Sequence, residues 1–144
     1  MYIKPKDVGY VANDFGLKQE RDCAVRAIAN VGVYSYPLAL SLLNRAGRKF
    51  NRGTPWHALD KVYKEAGAFN VTYYGKRMAK MSMEHSVTYR DKGMTLKTFL
   101  ADNPKGRHVV IVRRHALAVI DGNTVDMFSS KAGMRVIASF TFAE

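Results

Sequence analysis

The sequence predicts an α+β fold in which a helical first half packs against a C-terminal antiparallel sheet. Three observations carry this reading. Apolar residues recur at helical spacing up to Ala66, the last third is built of short runs rich in Val, Ile and Phe, and Asp121-Gly122 parts two of those runs as a tight hairpin turn would. The chain has 144 residues and no internal repeat, low-complexity tract or linker-like change of composition, so one domain over residues 1–144 is expected.

The first helix is expected to begin at Cys23, after Asp22 as a capping residue, with Ala24, Val25, Ala27, Ile28 and Val31 along one face. A second runs between Ser35 as cap with an early Pro37 and a terminal Gly47, with Leu38, Leu40, Leu42, Leu43 and Ala46 forming a stripe wide enough to be buried. A third takes Thr54 as cap and Pro55 in its first turn; Trp56, Leu59, Val62, Tyr63 and Ala66 line one side, and Asp60 and Lys64 pair one turn apart. A strand is expected over 69–74 and an irregular insertion or flap over 75–93. Thr95 caps a short helix through Leu96, Phe99 and Leu100 that ends before Pro104, and strands follow at 108–112, 115–120, 124–128 and 134–142.

Composition narrows the function classes. Hydrophobic residues make up 47% and charged residues 24%, as in folded soluble domains. No apolar stretch approaches the roughly 20 residues that span a bilayer, and the opening MYIKPKDVGY lacks the apolar middle of a secretory signal, so a cytoplasmic location is expected. The formal net charge of +11 attracts nucleic acid, anionic membranes and acidic proteins alike. The densest basic groups are Arg45, Arg48, Lys49 and Arg52, and Lys76, Arg77 and Lys80; no helix-turn-helix or zinc-finger pattern accompanies them, so a solvated basic surface is expected rather than a nucleic-acid or membrane site. A single cysteine excludes an internal disulfide and a multi-cysteine metal site. His57 and His85 lack acidic or cysteine partners at ligand spacing, and no phosphate-binding glycine loop occurs, so neither metal nor cofactor is expected.

The lone cysteine is either a small buried hydrophobe or a reactive thiol. The thiolate is the nucleophile, and a helix start and a nearby imidazole both favour it. Cys23 has the first device, although the charge of Asp22 opposes ionisation unless its carboxylate turns to the helix amides. The second device is His115, which opens the apolar strand His115-Ala116-Leu117-Ala118-Val119-Ile120, where small alanines imply a close neighbour. Alternation puts His115 on the face of Leu117 and Val119, and a two-residue turn at Asp121-Gly122 puts Leu117 opposite Asp126, within diagonal reach of His115. A three-residue loop would reverse that face. Asp121 is the competing carboxylate, and turn geometry alone explains it. His108 is the competing base. For the oxyanion of a tetrahedral intermediate, the Gln19 side-chain amide is the expected donor beside the Cys23 amide, with Asn13 as the alternative. Trp56, Tyr63, Tyr73 and Tyr74 are either a substrate cleft or, more simply, core.

This order of Gln19, a helix-starting Cys23, a distant His115 and then Asp126 resembles the papain-like cysteine peptidases. More closely, Asp22-Cys23-Ala24-Val25-Arg26-Ala27-Ile28-Ala29, Arg52-Gly53-Thr54-Pro55 and Arg114-His115-Ala116-Leu117-Ala118-Val119-Ile120-Asp121-Gly122 look like segments of small phage-encoded members of that fold. The resemblance spans about residues 19–126, with shorter Gln-to-Cys and His-to-Asp intervals than in papain. It implies a papain-like domain, N-terminal helices on a C-terminal sheet, in which Cys23, His115, Asp126 and Gln19 form the catalytic set of a peptidase, isopeptidase or amidase. It also implies a protein or peptide substrate, for a basic chain an acidic host protein, in the host cytoplasm. The alternative on the same scaffold is a phage-encoded binding protein or inhibitor of a host factor, with Cys23 incidental.

Overall fold

A computed structural model describes residues 2–3, 22–49, 53–75, 88–90, 93–113, 115–125 and 133–143. Strand β1 (Tyr2–Ile3), which the apolar pattern did not signal, precedes helix α1 (Cys23–Asn30). From Ala24 to Val31 every residue of that segment is buried except Arg26. Asp22 occupies the N-cap position, yet its side chain bonds none of the helix amides, which corrects its expected capping role.

Helix α2 (Tyr36–Ala46) begins as its punctuation dictates, with the Ser35 hydroxyl accepting from the Leu38 amide at 3.4 Å. Its buried stripe is narrower than expected: Tyr36, Ala39, Leu40 and Leu43 are buried while Leu38 is 46% exposed. Gly47 closes it at φ 135°, a conformation that favours glycine, and a Cβ there would stand 2.7 Å from Nε2 of the exposed His57 ring, which would have to shift. Helix α3 (Trp56–Glu65) starts one residue later than expected. Pro55, held extended at ψ 150°, is the N-cap residue in place of Thr54, and its carbonyl accepts from the Ala58 and Leu59 amides, both at 3.1 Å. Lys64 and Asp60 pair at 3.0 Å.

Strand β2 (Asn70–Tyr74) follows, with Phe69 just outside it and 71% exposed. The stretch expected to be irregular contains β3 (Thr88–Arg90), parallel to β2; residues 76–87 and 91–92 lie outside the described residues. After β4 (Met94–Thr95) comes α4 (Leu96–Asp102), capped by the Thr95 hydroxyl on the Thr98 amide at 3.2 Å. The remaining strands are β5 (Arg107–Val112), β6 (His115–Ile120), β7 (Asn123–Val125) and β8 (Arg135–Phe142). They form an α+β architecture on an 8-stranded sheet of order β1-β7-β6-β5-β8-β2-β3, with β4 also on β8. The pairings are antiparallel except at the two edges, where β1 joins β7 and β3 joins β2 in parallel.

The β6–β7 turn is the expected two-residue one. Ile120 pairs with Asn123, leaving Asp121 at φ 49° and Gly122 at φ 78°, the twin positive φ of a type I′ turn. Alternation along the strands then builds a core on each face of the sheet. Val109, Ile111, Ala116, Ala118, Ala138 and Phe140 pack under α1, α2 and α3. Val110, Val112, Leu117, Val119 and Val136 pack under Leu96 and Phe99 of α4. Val136 and Ala138 would share a face in a regular strand; a register shift between Ile111↔Ala138 and Val112↔Val136 inserts Ile137 and separates them.

One expectation about charged groups changes, for a single residue. Arg48, in the densest basic group, is buried and donates to Asn44 Oδ1 at 3.1 Å, while Arg45 and Lys49 of that group are exposed; Arg52, Lys76, Arg77 and Lys80 lie outside the described residues. Among the described residues, no helix is long and apolar enough to cross a membrane. His108 is a core residue: its Nε2 donates to the Lys105 carbonyl at 3.1 Å, its Nδ1 faces the Thr141 hydroxyl at 2.9 Å, and its ring stands edge-on to Phe99. Burial pulls its pKa down, against the raising effects of the Lys105 carbonyl and the Asp121 charge. The unfolded chain therefore takes up a proton on this ring at higher pH than the folded one. The His108 contribution to stability should be complete above about pH 6.5 and decline as pH falls below it. Thermal melts from pH 8 to pH 5 check this, since His108→Gln should flatten that part of the curve and an unchanged slope would refute the assignment.

Candidate active site

Cys23 is the first residue of α1, so its backbone and sulfur stand where the unpaired amides of the helix start favour negative charge. His115 is the first residue of β6, opposite Val112 at the turn end of the β5–β6 hairpin. Ala116 and Ala118 face α1, and their small side chains let the helix lie close on the strand. The strict alternation that grouped His115 with Leu117 and Val119 would send it to the α4 face, where those two residues pack. Instead its imidazole stands on the α1 side, bordering the same cleft as Cys23 and close enough to draw the thiol's pKa down.

Burial pushes the Cys23 thiol up, but the hydrogen bond to His115, the Ala116 backbone amide, the charge of the imidazole and the Arg26 guanidinium outweigh it, and the thiol lies below its ordinary value. The net direction is that of a nucleophile rather than of a buried structural thiol.

The neighbouring carboxylate does not oppose this as the sequence alone suggested. Asp22 is buried; its Oδ2 accepts from the Tyr36 hydroxyl at 2.7 Å and its Oδ1 pairs with Arg26 Nε at 2.9 Å. Burial, with the Asp22 carboxylate beside it, holds the Tyr36 hydroxyl well above its ordinary pKa, so it remains a donor. From the other side, the buried Tyr63 hydroxyl donates to the Ala24 carbonyl at 2.6 Å. The start of α1 is thus tied to both α2 and α3. In the sequence Tyr63 reads as a stripe or cleft residue and Tyr36 has no assigned role; buried tyrosines need a partner for the hydroxyl, and that requirement was the available signal.

Cys23 and His115 open on a cleft of about 710 Å³. Trp56 and Leu59 of α3 form one wall, Ile111 and Val112 of β5 another, and the inserted Ile137 reaches it from β8. Gly53, Thr54 and Arg26 complete the polar side. Of the aromatic candidates, Trp56 alone borders the cleft, its ring edge-on to Tyr73 at 5.7 Å and tilted against Phe140 at 6.0 Å; Tyr63 and Tyr73 are fully buried, and Tyr74 belongs to the α4 core.

The structure therefore brings together Cys23 and His115. Asp121 lies at the other end of β6, where its Oδ1 accepts from the Gly106 amide at 3.0 Å, so turn geometry accounts for it and it is remote from His115. His108 is held in the α4 core. Asp126, Gln19 and Asn13 lie outside the described residues; the two-residue turn on which the placement of Asp126 was argued is present. No family model, curated protein or solved structure matches the chain.

The Asp22 tie gives a measurable expectation. Tyr36→Phe removes a hydrogen bond to a buried charged group and should cost about 1.5–3 kcal/mol in urea unfolding. A loss of less than about 0.5 kcal/mol would mean that Asp22 is satisfied without it.

Proposed function

We propose that the chain is a papain-like cysteine hydrolase, a peptidase, isopeptidase or amidase, with Cys23 as nucleophile, His115 as general base and acid, Asp126 as the carboxylate orienting the imidazole and Gln19 as the side-chain oxyanion donor. The observation that carries the reading is that the His115 imidazole meets Cys23 at the start of a helix, on one open cleft, and draws the thiol's pKa down.

The chemistry follows from that pair. His115 accepts the thiol proton, and the thiolate adds to the substrate carbonyl to give a tetrahedral oxyanion. The Cys23 amide, unpaired at the helix start, is one donor for that oxygen, and Gln19 supplies the other. Collapse breaks the bond to the leaving amine, which takes its proton from the imidazolium. Water then attacks the thioester with His115 as base, releasing the acid and restoring the thiol. Asp22 has no part in these steps; held by Tyr36 and Arg26, its charge is kept off the sulfur.

An activated ester tests the reading without knowledge of the natural substrate. With p-nitrophenyl acetate the protein should show a burst of p-nitrophenolate equal to the enzyme present, an acetyl group on Cys23 by mass, and then continued turnover. Cys23→Ala should abolish both phases, and His115→Ala should slow acylation by about 10²–10⁴-fold. Acylation that is never released would indicate a reactive thiol on a binding protein. Unchanged turnover by Cys23→Ala would remove the enzymatic reading altogether.

A further inference from the structure

Within α1 only Cys23 and Arg26 escape full burial. They are three residues apart, hence neighbours on one helical face, and both border the cleft. The other described residues around that cleft are apolar or uncharged apart from His115, and no carboxylate is among them. Arg26 thus brings the one fixed charge to the described wall.

Its pairing leaves most of its binding capacity open. Asp22 meets the guanidinium at Nε with a single oxygen, the other oxygen being taken by Tyr36. A guanidinium carries five N–H donors, so the terminal nitrogens remain for a second anion, and their planar fork matches a carboxylate. The Arg26 side chain is 21% exposed against 4% for Asp22, which puts the cation on the solvent side of the pair and the anion behind it. An arginine needed only to neutralise Asp22 would be expected to sink with it.

We propose that Arg26 determines specificity by receiving a substrate carboxylate beside the bond that Cys23 attacks, so that the substrate class is an acidic peptide. The proposal rests on Cys23 being the nucleophile, as argued above. Arg26 acts on a substrate group next to the reacting carbonyl and takes no proton or electron pair in the reaction.

Two alkylating probes that differ in one group separate this proposal from the hydrolase reading itself. Iodoacetate carries a carboxylate and iodoacetamide a neutral amide. Both need the same thiolate, so the ratio of their rate constants is independent of how much thiolate each variant holds. Relative to the urea-unfolded chain, the folded protein at low salt should favour iodoacetate. Arg26→Gln should lower that ratio about two- to fivefold, and Arg26→Lys should keep part of the preference. Lys97→Gln, which removes an exposed charge from α4 on the other face of the sheet, should leave the ratio unchanged. The double variant Asp22→Asn with Arg26→Gln should stay low; recovery there would show that an unmasked Asp22 caused the loss and would overturn the proposal. Rapid reaction with both probes and no effect of Arg26→Gln on the ratio overturns the role of Arg26 while leaving the hydrolase reading intact. Resistance of folded Cys23 to both probes sinks both.

Discussion

The contact between the His115 imidazole and the Cys23 sulfur decides what the rest of this structure is for. A thiol buried at a helix–sheet junction is, by desolvation alone, less acidic than one in water. Here burial is the largest single influence on Cys23, and it is overcome only by several smaller ones acting together: the imidazole as partner and charge, the Ala116 amide and the Arg26 guanidinium. Any arrangement that moved β6 away from α1 would remove both the imidazole and the Ala116 amide, leaving Arg26 alone of these influences.

Much of the fold reads as the means of holding that contact. Ala116 and Ala118 let α1 lie close on the sheet, while Leu117 and Val119, between them, anchor the opposite core under α4. Tyr63 ties the first turn of α1 to α3, and Tyr36 ties Asp22 to α2, so the helix start is fixed from two directions. The extra residue in β8 beside the end of β5 shifts the register and brings Ile137 to the cleft wall. Asp22 shows how position along the chain and position in space differ. It is next to the cysteine in sequence, yet its charge is spent on a buried tyrosine and an arginine one turn on.

What the sequence disclosed follows from the range of the forces involved. Local signals were legible: the Ser35 and Thr95 caps, the Asp121-Gly122 turn, the β5 to β8 run and the pairing of Asp60 with Lys64 all depend on residues a few places apart. Signals that depend on distant partners were not. Nothing in the run 88–90 marks it as the parallel neighbour of β2, and a two-residue strand such as β1 carries no periodicity to detect. The face of His115 was inferred from a rule that holds inside a ladder and fails at its end. The burial of Arg48 beside exposed Arg45 and Lys49 was equally hidden, since composition does not say which member of a basic group turns inward. For the site, the helix-start cysteine and the strand-opening histidine were recognisable because each residue type was out of place in its local pattern. The roles of the tyrosines that hold the helix start were hidden because each hydroxyl's partner lies far along the chain.

Direct titration of the sulfur tests the central pairing. With Cys23 labelled at ¹³Cβ, its chemical shift followed against pH reports the thiol's own midpoint in the folded protein. The account requires that midpoint to lie below the ordinary 9.0 and to rise when His115 is replaced by alanine, since burial would then act with less to oppose it. A midpoint above 9.0 in the intact protein, or one indifferent to the loss of His115, would contradict it.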